Sequence, residues 1–154
     1  MGFDCESFFV KGNHIIYRIG LKSAVIYKNE QGKLVTKEEK YIDFKGKHCC
    51  KNFLNYVLKL RDETRKKLSV KKKLKAELFA FNNARYDNIF LMRYIISYCE
   101  KHKMKKFTMN SREILSIEFD GIRVLDLMRL MSPCSLASAA AEFKIKNPDG
   151  SDLL

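Results

Sequence analysis

Three acidic residues carry the most chemistry in this chain. Asp4 and Glu6 stand two positions apart in Asp4-Cys5-Glu6. Side chains alternate along a strand, so on a strand both carboxylates leave the same face. Two like charges held side by side are costly unless something positive lies between them, and a divalent cation is the natural answer. The third acid, Asp87, follows the apolar run 76–81, where a strand gives way to a helix. Ligands of open α/β sheets gather beyond the carboxyl ends of strands, so this loop is a reasonable place for another donor. Hard oxygen donors from several carboxylates select Mg²⁺ or Mn²⁺ over zinc. Two such ions about 4 Å apart can clamp the attacking and leaving oxygens of a phosphodiester. Each piece also has a plainer reading: a strand-edge acidic pair is often merely solvated, and Asp87 alone suits a helix N-cap. Only the combination, in order and inside a basic α/β chain, favours the metal.

Several elements must position these acids. Residues 3–10 begin with apolar-polar alternation and read as a short strand, followed by a turn at Gly12-Asn13. Residues 14–27, rich in Ile, Val and Tyr, predict a long strand with a break near Gly20. After a hairpin turn at 29–32, residues 34–44 return as a strand. Phe53, Leu54, Val57, Leu58 and Leu60 recur at helical spacing, and the basic segment to Lys75 continues that helix or forms a second one. Residues 76–81 suit a buried central strand. Ile89, Phe90, Met92, Tyr94, Ile95 and Ile96 predict an amphipathic helix ending near Lys103. Residues 114–119 and 122–127 form a strand pair about Asp120-Gly121, a good two-residue hairpin signal. Ser135 is placed to N-cap an Ala-rich helix through Phe143, and residues 147–151 read as a turn. No repeat or domain boundary interrupts this order, which predicts one α/β domain with a mixed central sheet flanked by helices.

The chain has 154 residues, 46% of them hydrophobic, enough for a single buried core. No stretch approaches the roughly 20 apolar residues that cross a bilayer, and the amino terminus does not read as a secretory signal. The five cysteines lack C-x-x-C spacing and suggest neither a disulfide framework nor a zinc site, which is simplest in an intracellular reducing compartment. The net charge of +12 favours polyanionic partners. Residues 59–75 hold nine basic and two acidic side chains, with Lys71, Lys72 and Lys73 as candidate phosphate contacts. A second basic knot occupies 101–106. Either cluster would serve equally well as a solvated helical face.

Asn83-Ala84-Arg85-Tyr86-Asp87, preceded by the apolar run 78–81 and followed by Ile89-Phe90-Leu91, resembles the second exonuclease motif of family B DNA polymerases, N-x2-3-[FY]-D. The likeness is closest to the protein-primed viral, linear-plasmid and organellar branch. Asp4-Cys5-Glu6-Ser7 is similar to the first motif, D-x-E-[ST], and segments 114–126 and 135–143 are similar to the hairpin and helix that come next. The basic insert absorbs the excess in a motif spacing of about eighty residues.

This resemblance implies an RNase H-like fold and the proofreading 3′–5′ exonuclease region of a DNA-directed DNA polymerase. It makes Asp4, Glu6 and Asp87 the ligands of two Mg²⁺ or Mn²⁺ ions. Ser7, Asn83 and Tyr86 would hold the unpaired 3′ end of a DNA strand, with Arg85 at a phosphate. The implied partners are primer–template DNA and a terminal priming protein. The sequence departs from the family in several places. Asn82 stands where histidine is usual and Leu127 where serine is usual, and only Lys146 is a loose candidate for the catalytic lysine. The third motif, Tyr-x3-Asp, and the polymerase palm do not occur before Leu154. Residues 1–154 are therefore expected to form a partial exonuclease domain from a longer polymerase gene, weak or inactive alone. Two alternatives remain: a non-catalytic basic nucleic-acid-binding module, and a free-standing exonuclease of the same fold.

Overall fold

The computed structural model describes residues 1–67, 76–81, 86–102, 107–108, 116–129 and 134–144. Strand β1 (Gly2–Val10) turns directly into the long β2 (Asn13–Lys28), which turns into β3 (Leu34–Lys45). Helix α1 (Cys49–Lys67) leads to β4 (Ala76–Ala80), and α2 (Asp87–Lys101) follows. A two-residue strand β5 (Phe107–Thr108) precedes the hairpin of β6 (Ser116–Phe119) and β7 (Ile122–Asp126). A single 3₁₀ turn, Leu127–Arg129, and helix α3 (Leu136–Glu142) complete the described elements. The seven strands form one mixed sheet in the order β3-β2-β1-β4-β7-β6-β5. β4 runs parallel to both β1 and β7, and every other pairing is antiparallel.

The core follows from periodicity. α1 buries Phe53, Leu54 and Val57, α2 buries Leu91 and Ile95, and the two helices pack against each other on one sheet face. Beneath them lie Phe3, Ile19, Leu21, Leu78, Ile117, Ile122 and Val124. Phe3 and Phe53 meet with ring centroids 5.3 Å apart, which fixes the covered face of β1 as that of Phe3 and Cys5. Full burial of such side chains contributes about 1.5–3 kcal/mol each.

Several details differ from expectation. The first turn is Lys11-Gly12, both at positive φ (47° and 79°), and Asn13 already pairs with Val10. Two left-handed residues make the tight hairpin link whose twist matches the strands it joins. β2 passes through Gly20 without a break; a Cβ there would come within 2.9 Å of the Tyr41 hydroxyl, so glycine accommodates a crossing side chain rather than a bend. The irregularities fall at Ser23/Val25 against β3 and at Glu6/Ser7 against β1. α1 is described to Lys67, and the expected helical continuation over 68–75 lies outside the described residues; β5 was too short to leave a pattern. The Asp120-Gly121 turn has φ of 44° and 72°, as its sequence suggests, and the Ser135 Oγ accepts the Ser138 N–H at 3.0 Å as an N-cap. No described helix is long and apolar enough to cross a membrane, and all five cysteines are free thiols.

Candidate functional site

The bulge at Glu6/Ser7 governs what gathers at this end of the sheet. β1 pairs Phe3 with Leu21 and Cys5 with Ile19, then Ser7 with Ile16 and Phe9 with His14, leaving Tyr17 as the extra residue of β2. One inserted residue reverses the alternation of the bulged strand. Ile16 and His14 therefore join the covered row of Ile19 and Leu21, whereas an unbulged strand would have put Ile15 and Tyr17 there. Ser7, Phe9 and His14 thus continue the core face past the helices. Asp4 and Glu6 project from the opposite row with Phe8.

Parallel pairing of β1 with β4 is confined to Gly2 and Phe79, reinforced by the Phe79 N–H donating to the Met1 carbonyl at 2.8 Å. Past that point the β4 side of β1 has no strand partner among the described residues, and α2 begins there. Tyr86 is its N-cap residue and Asp87 its first helical residue, so Asp87 does not cap the helix. Instead its carboxylate is buried, 3% exposed, beside Cys5.

The Cys5 backbone favours the ionised form of both Asp4 and Asp87, and the Asp4 charge reaches Asp87. Burial dominates Asp87 and, with the nearby Asp4 charge, pushes its pKa up to about 6 despite the opposing Cys5 contacts. Burial also raises Asp4, with Glu6 adding to the effect. Asp87 Oδ1 has no hydrogen-bond donor among the described residues. A buried acceptor without a donor, next to a second carboxylate, is an arrangement that a divalent cation would relieve. Asp87 therefore offers a buried oxygen suited to a hard cation.

Glu6 faces another way. Its Oε1 accepts Arg18 Nη1 at 3.0 Å and its Oε2 accepts the Tyr17 hydroxyl at 2.7 Å, while Arg18 also reaches Asp43 at 2.7 Å. Accordingly, no group of three His, Cys, Asp or Glu side chains among the described residues is arranged to hold an ion.

The two sequence motifs also touch through hydroxyls. Ser7 Oγ and the Tyr86 hydroxyl hydrogen-bond to each other, and His14 Nδ1 lies 3.2 Å from the first and 3.3 Å from the second. Tyr86 packs edge-on against Phe90 (5.0 Å between centroids) and His14 (5.7 Å), so its ring is not sunk in the core. Asn83 and Arg85 lie outside the described residues, as do Lys71, Lys72, Lys73, Lys146, most of the 101–106 knot and the turn at 147–151. Asp126 is buried at the carboxyl end of β7, opposite Ala80 of β4, where its Oδ1 accepts the Met128 N–H at 3.0 Å.

Sequence reasoning missed His14 and Phe90 as members of this cluster. The available signal was the hairpin: a two-residue turn at Lys11-Gly12 forces Phe9 opposite His14, whereas a turn one residue later loses that pairing. Comparison with protein families, curated proteins and solved structures finds no match to this chain.

Proposed function

We propose that this chain is the proofreading 3′–5′ exonuclease region of a protein-primed family B DNA polymerase, acting on the unpaired 3′ end of a DNA strand. The observation that carries the reading is the meeting of two motifs some eighty residues apart: Ser7 bonds to Tyr86, and the Asp4 charge reaches Asp87. The strand order β3-β2-β1-β4, with an antiparallel meander and β4 parallel to β1, supports the RNase H-like fold that the resemblance implies.

In this reading Asp4 and Asp87 would hold Mg²⁺ or Mn²⁺, and Glu6 would join them only on leaving Arg18 and Tyr17. When bound, such cations stabilise charge on the phosphodiester and lower the pKa of an attacking water. Tyr86 stacks the terminal base without regard to its identity. The Ser7 hydroxyl, steadied by Tyr86 and His14, is placed to hydrogen-bond the terminal nucleotide. Asp87 carries a proton below about pH 6 in cation-free protein, so cation binding strengthens as pH rises through that value.

Two measurements test the proposal. Mn²⁺ binding to this chain, followed by calorimetry, should vanish in Asp87→Ala and in Asp4→Ala. In the polymerase that carries it, either substitution should abolish 3′-to-5′ degradation while nucleotide addition continues. Loss of both activities together, or of neither, overturns the assignment. Commitment of Glu6 to Arg18 and Tyr17 favours a second reading, a non-catalytic nucleic-acid-binding module. That reading predicts salt-dependent DNA binding indifferent to cations and to Asp87→Ala.

A further inference from the structure

We propose that Arg18 and Tyr17 form a latch on Glu6, so that a divalent cation gains this carboxylate only in competition with a guanidinium. The cation rests on the reading above; the latch itself rests on the pairing of β1 with β2. At the Glu6/Ser7 irregularity β2 supplies two residues, Tyr17 and Arg18, where regular pairing supplies one. Both reach the same carboxylate. Arg18 Nη1 donates to Glu6 Oε1 at 3.0 Å, and the Tyr17 hydroxyl donates to Glu6 Oε2 at 2.7 Å. Each Glu6 oxygen is thereby engaged, and Phe8 packs on the Tyr17 ring with centroids 5.5 Å apart.

The hold on Glu6 is releasable. Arg18 Nε donates to Asp43 Oδ1 on β3 at 2.7 Å, closer than its contact with Glu6, and Asp43 contributes more than Glu6 to keeping the guanidinium charged. Lys45 meets the other Asp43 oxygen at 3.2 Å. When Glu6 leaves, Arg18 therefore keeps a carboxylate and its charge is not stranded. The side chains of Arg18 and Glu6 are 33% and 43% exposed, so water can replace either end of the pair and its hold stays weak enough to displace. Asp4 and Glu6 share one row of β1, and the Glu6 charge adds to the cost of ionising Asp4. Without a cation, the guanidinium supplies the positive charge beside Glu6.

The test is calorimetric titration of Mn²⁺ into the 154-residue chain and its variants. Arg18→Met should tighten binding about fivefold, because an exposed ion pair no longer competes for Glu6. Tyr17→Phe, which keeps the ring on Phe8, should tighten it about twofold. Lys22→Met controls for charge alone. Arg18 and Lys22 flank Gly20, the partner of Asp4, on the same row of β2, but Lys22 pairs with Glu39 instead of Glu6. In a Glu6→Gln background, Arg18→Met should do no more than Lys22→Met. A gain in affinity that requires Glu6 is not what loss of a merely structural pair produces. Equal tightening by Arg18→Met and Lys22→Met, or an Arg18→Met effect that persists undiminished in Glu6→Gln, overturns the latch. If Mn²⁺ binding is lost in Asp87→Ala yet indifferent to Arg18→Met and Tyr17→Phe, the latch fails and the exonuclease reading survives. No Mn²⁺ binding to the wild type or to any variant overturns both.

Discussion

Two of the buried charges, Arg61 and Asp87, are treated in opposite ways. Arg61 on α1 is only 6% exposed, yet its guanidinium meets Asp120 and Asp62 at 2.8 Å each and also donates to the Asp120 carbonyl. The Tyr98 hydroxyl adds a further hydrogen bond to Asp120, and His102 stacks on Tyr98 at 4.3 Å. Burial works against the Arg61 charge, but its two carboxylates more than offset that; Asp120, also opposed by burial, is held below the usual carboxylate range by the hydrogen bonds from Tyr98 and Arg61. At Asp4 and Asp87 there is no such answer among the described residues. Burial and the Asp4 charge push the buried Asp87 up to about 6. The first cluster joins α1, α2 and the β6–β7 turn; the second joins nothing comparable. A charge that serves the fold is neutralised within the fold, whereas one left open carries a cost that only a ligand can remove.

Breaking the satisfied cluster should have the largest effect. Arg61→Met leaves Asp120 without its cation, and removing one partner of a buried pair costs about 3–5 kcal/mol. Because Asp62 and Asp120 keep some solvent, a loss of about 2–3 kcal/mol is expected in urea unfolding. Adding Asp120→Asn should recover part of it in a double-mutant cycle. A loss below about 0.5 kcal/mol would show that the cluster is not structural and would end the comparison.

At the open cluster the sign reverses. Asp87 has a folded pKa of about 6 against an ordinary 3.8. Its contribution is thus most favourable below about pH 4, declines as pH rises through 6, and is fully unfavourable at pH 7.5. Asp87→Asn should therefore raise stability of the cation-free protein by about 2 kcal/mol at pH 7.5 and leave it unchanged at pH 3.5. Mn²⁺ should raise the melting temperature of the wild type only. A destabilised Asp87→Asn at neutral pH would mean that this carboxylate is as satisfied as Asp120.

How much of this was legible in the sequence depends on the range of the interactions. Periodicity located nearly every described element, because Phe53, Leu54 and Val57 or Ile89 to Ile96 advertise a helix locally. Asp120-Gly121 and Ser135 likewise declared their turn and cap. The motif residues Asp4, Ser7, Tyr86 and Asp87 could be picked out by type and order. Non-local facts stayed hidden. A bulge is a relation between two strands, so nothing within β2 alone announced that Tyr17 would bond to Glu6. The pairing of Glu6 with Arg18 was equally unreadable, since D-x-E spacing shows where a carboxylate starts and not which partner it finds.

Glu6 lies between the two clusters in character, and substituting it should have the smallest effect on stability. It is half exposed, paired with a half-exposed Arg18 that keeps Asp43 as a second partner. Exposed pairs of this kind contribute little, so Glu6→Gln should move the melting temperature by no more than about 3 °C, and less at high salt. If Glu6 belongs with Asp4 and Asp87, the same substitution should weaken Mn²⁺ binding about tenfold or more, because a neutral amide is a poor substitute for a carboxylate toward a hard cation. A large stability loss with unchanged Mn²⁺ affinity would place Glu6 with Arg61 instead, as a charge retained for the fold. The decisive comparison is between the two readouts in one variant: stability and cation affinity separate at an open site and move together at a closed one.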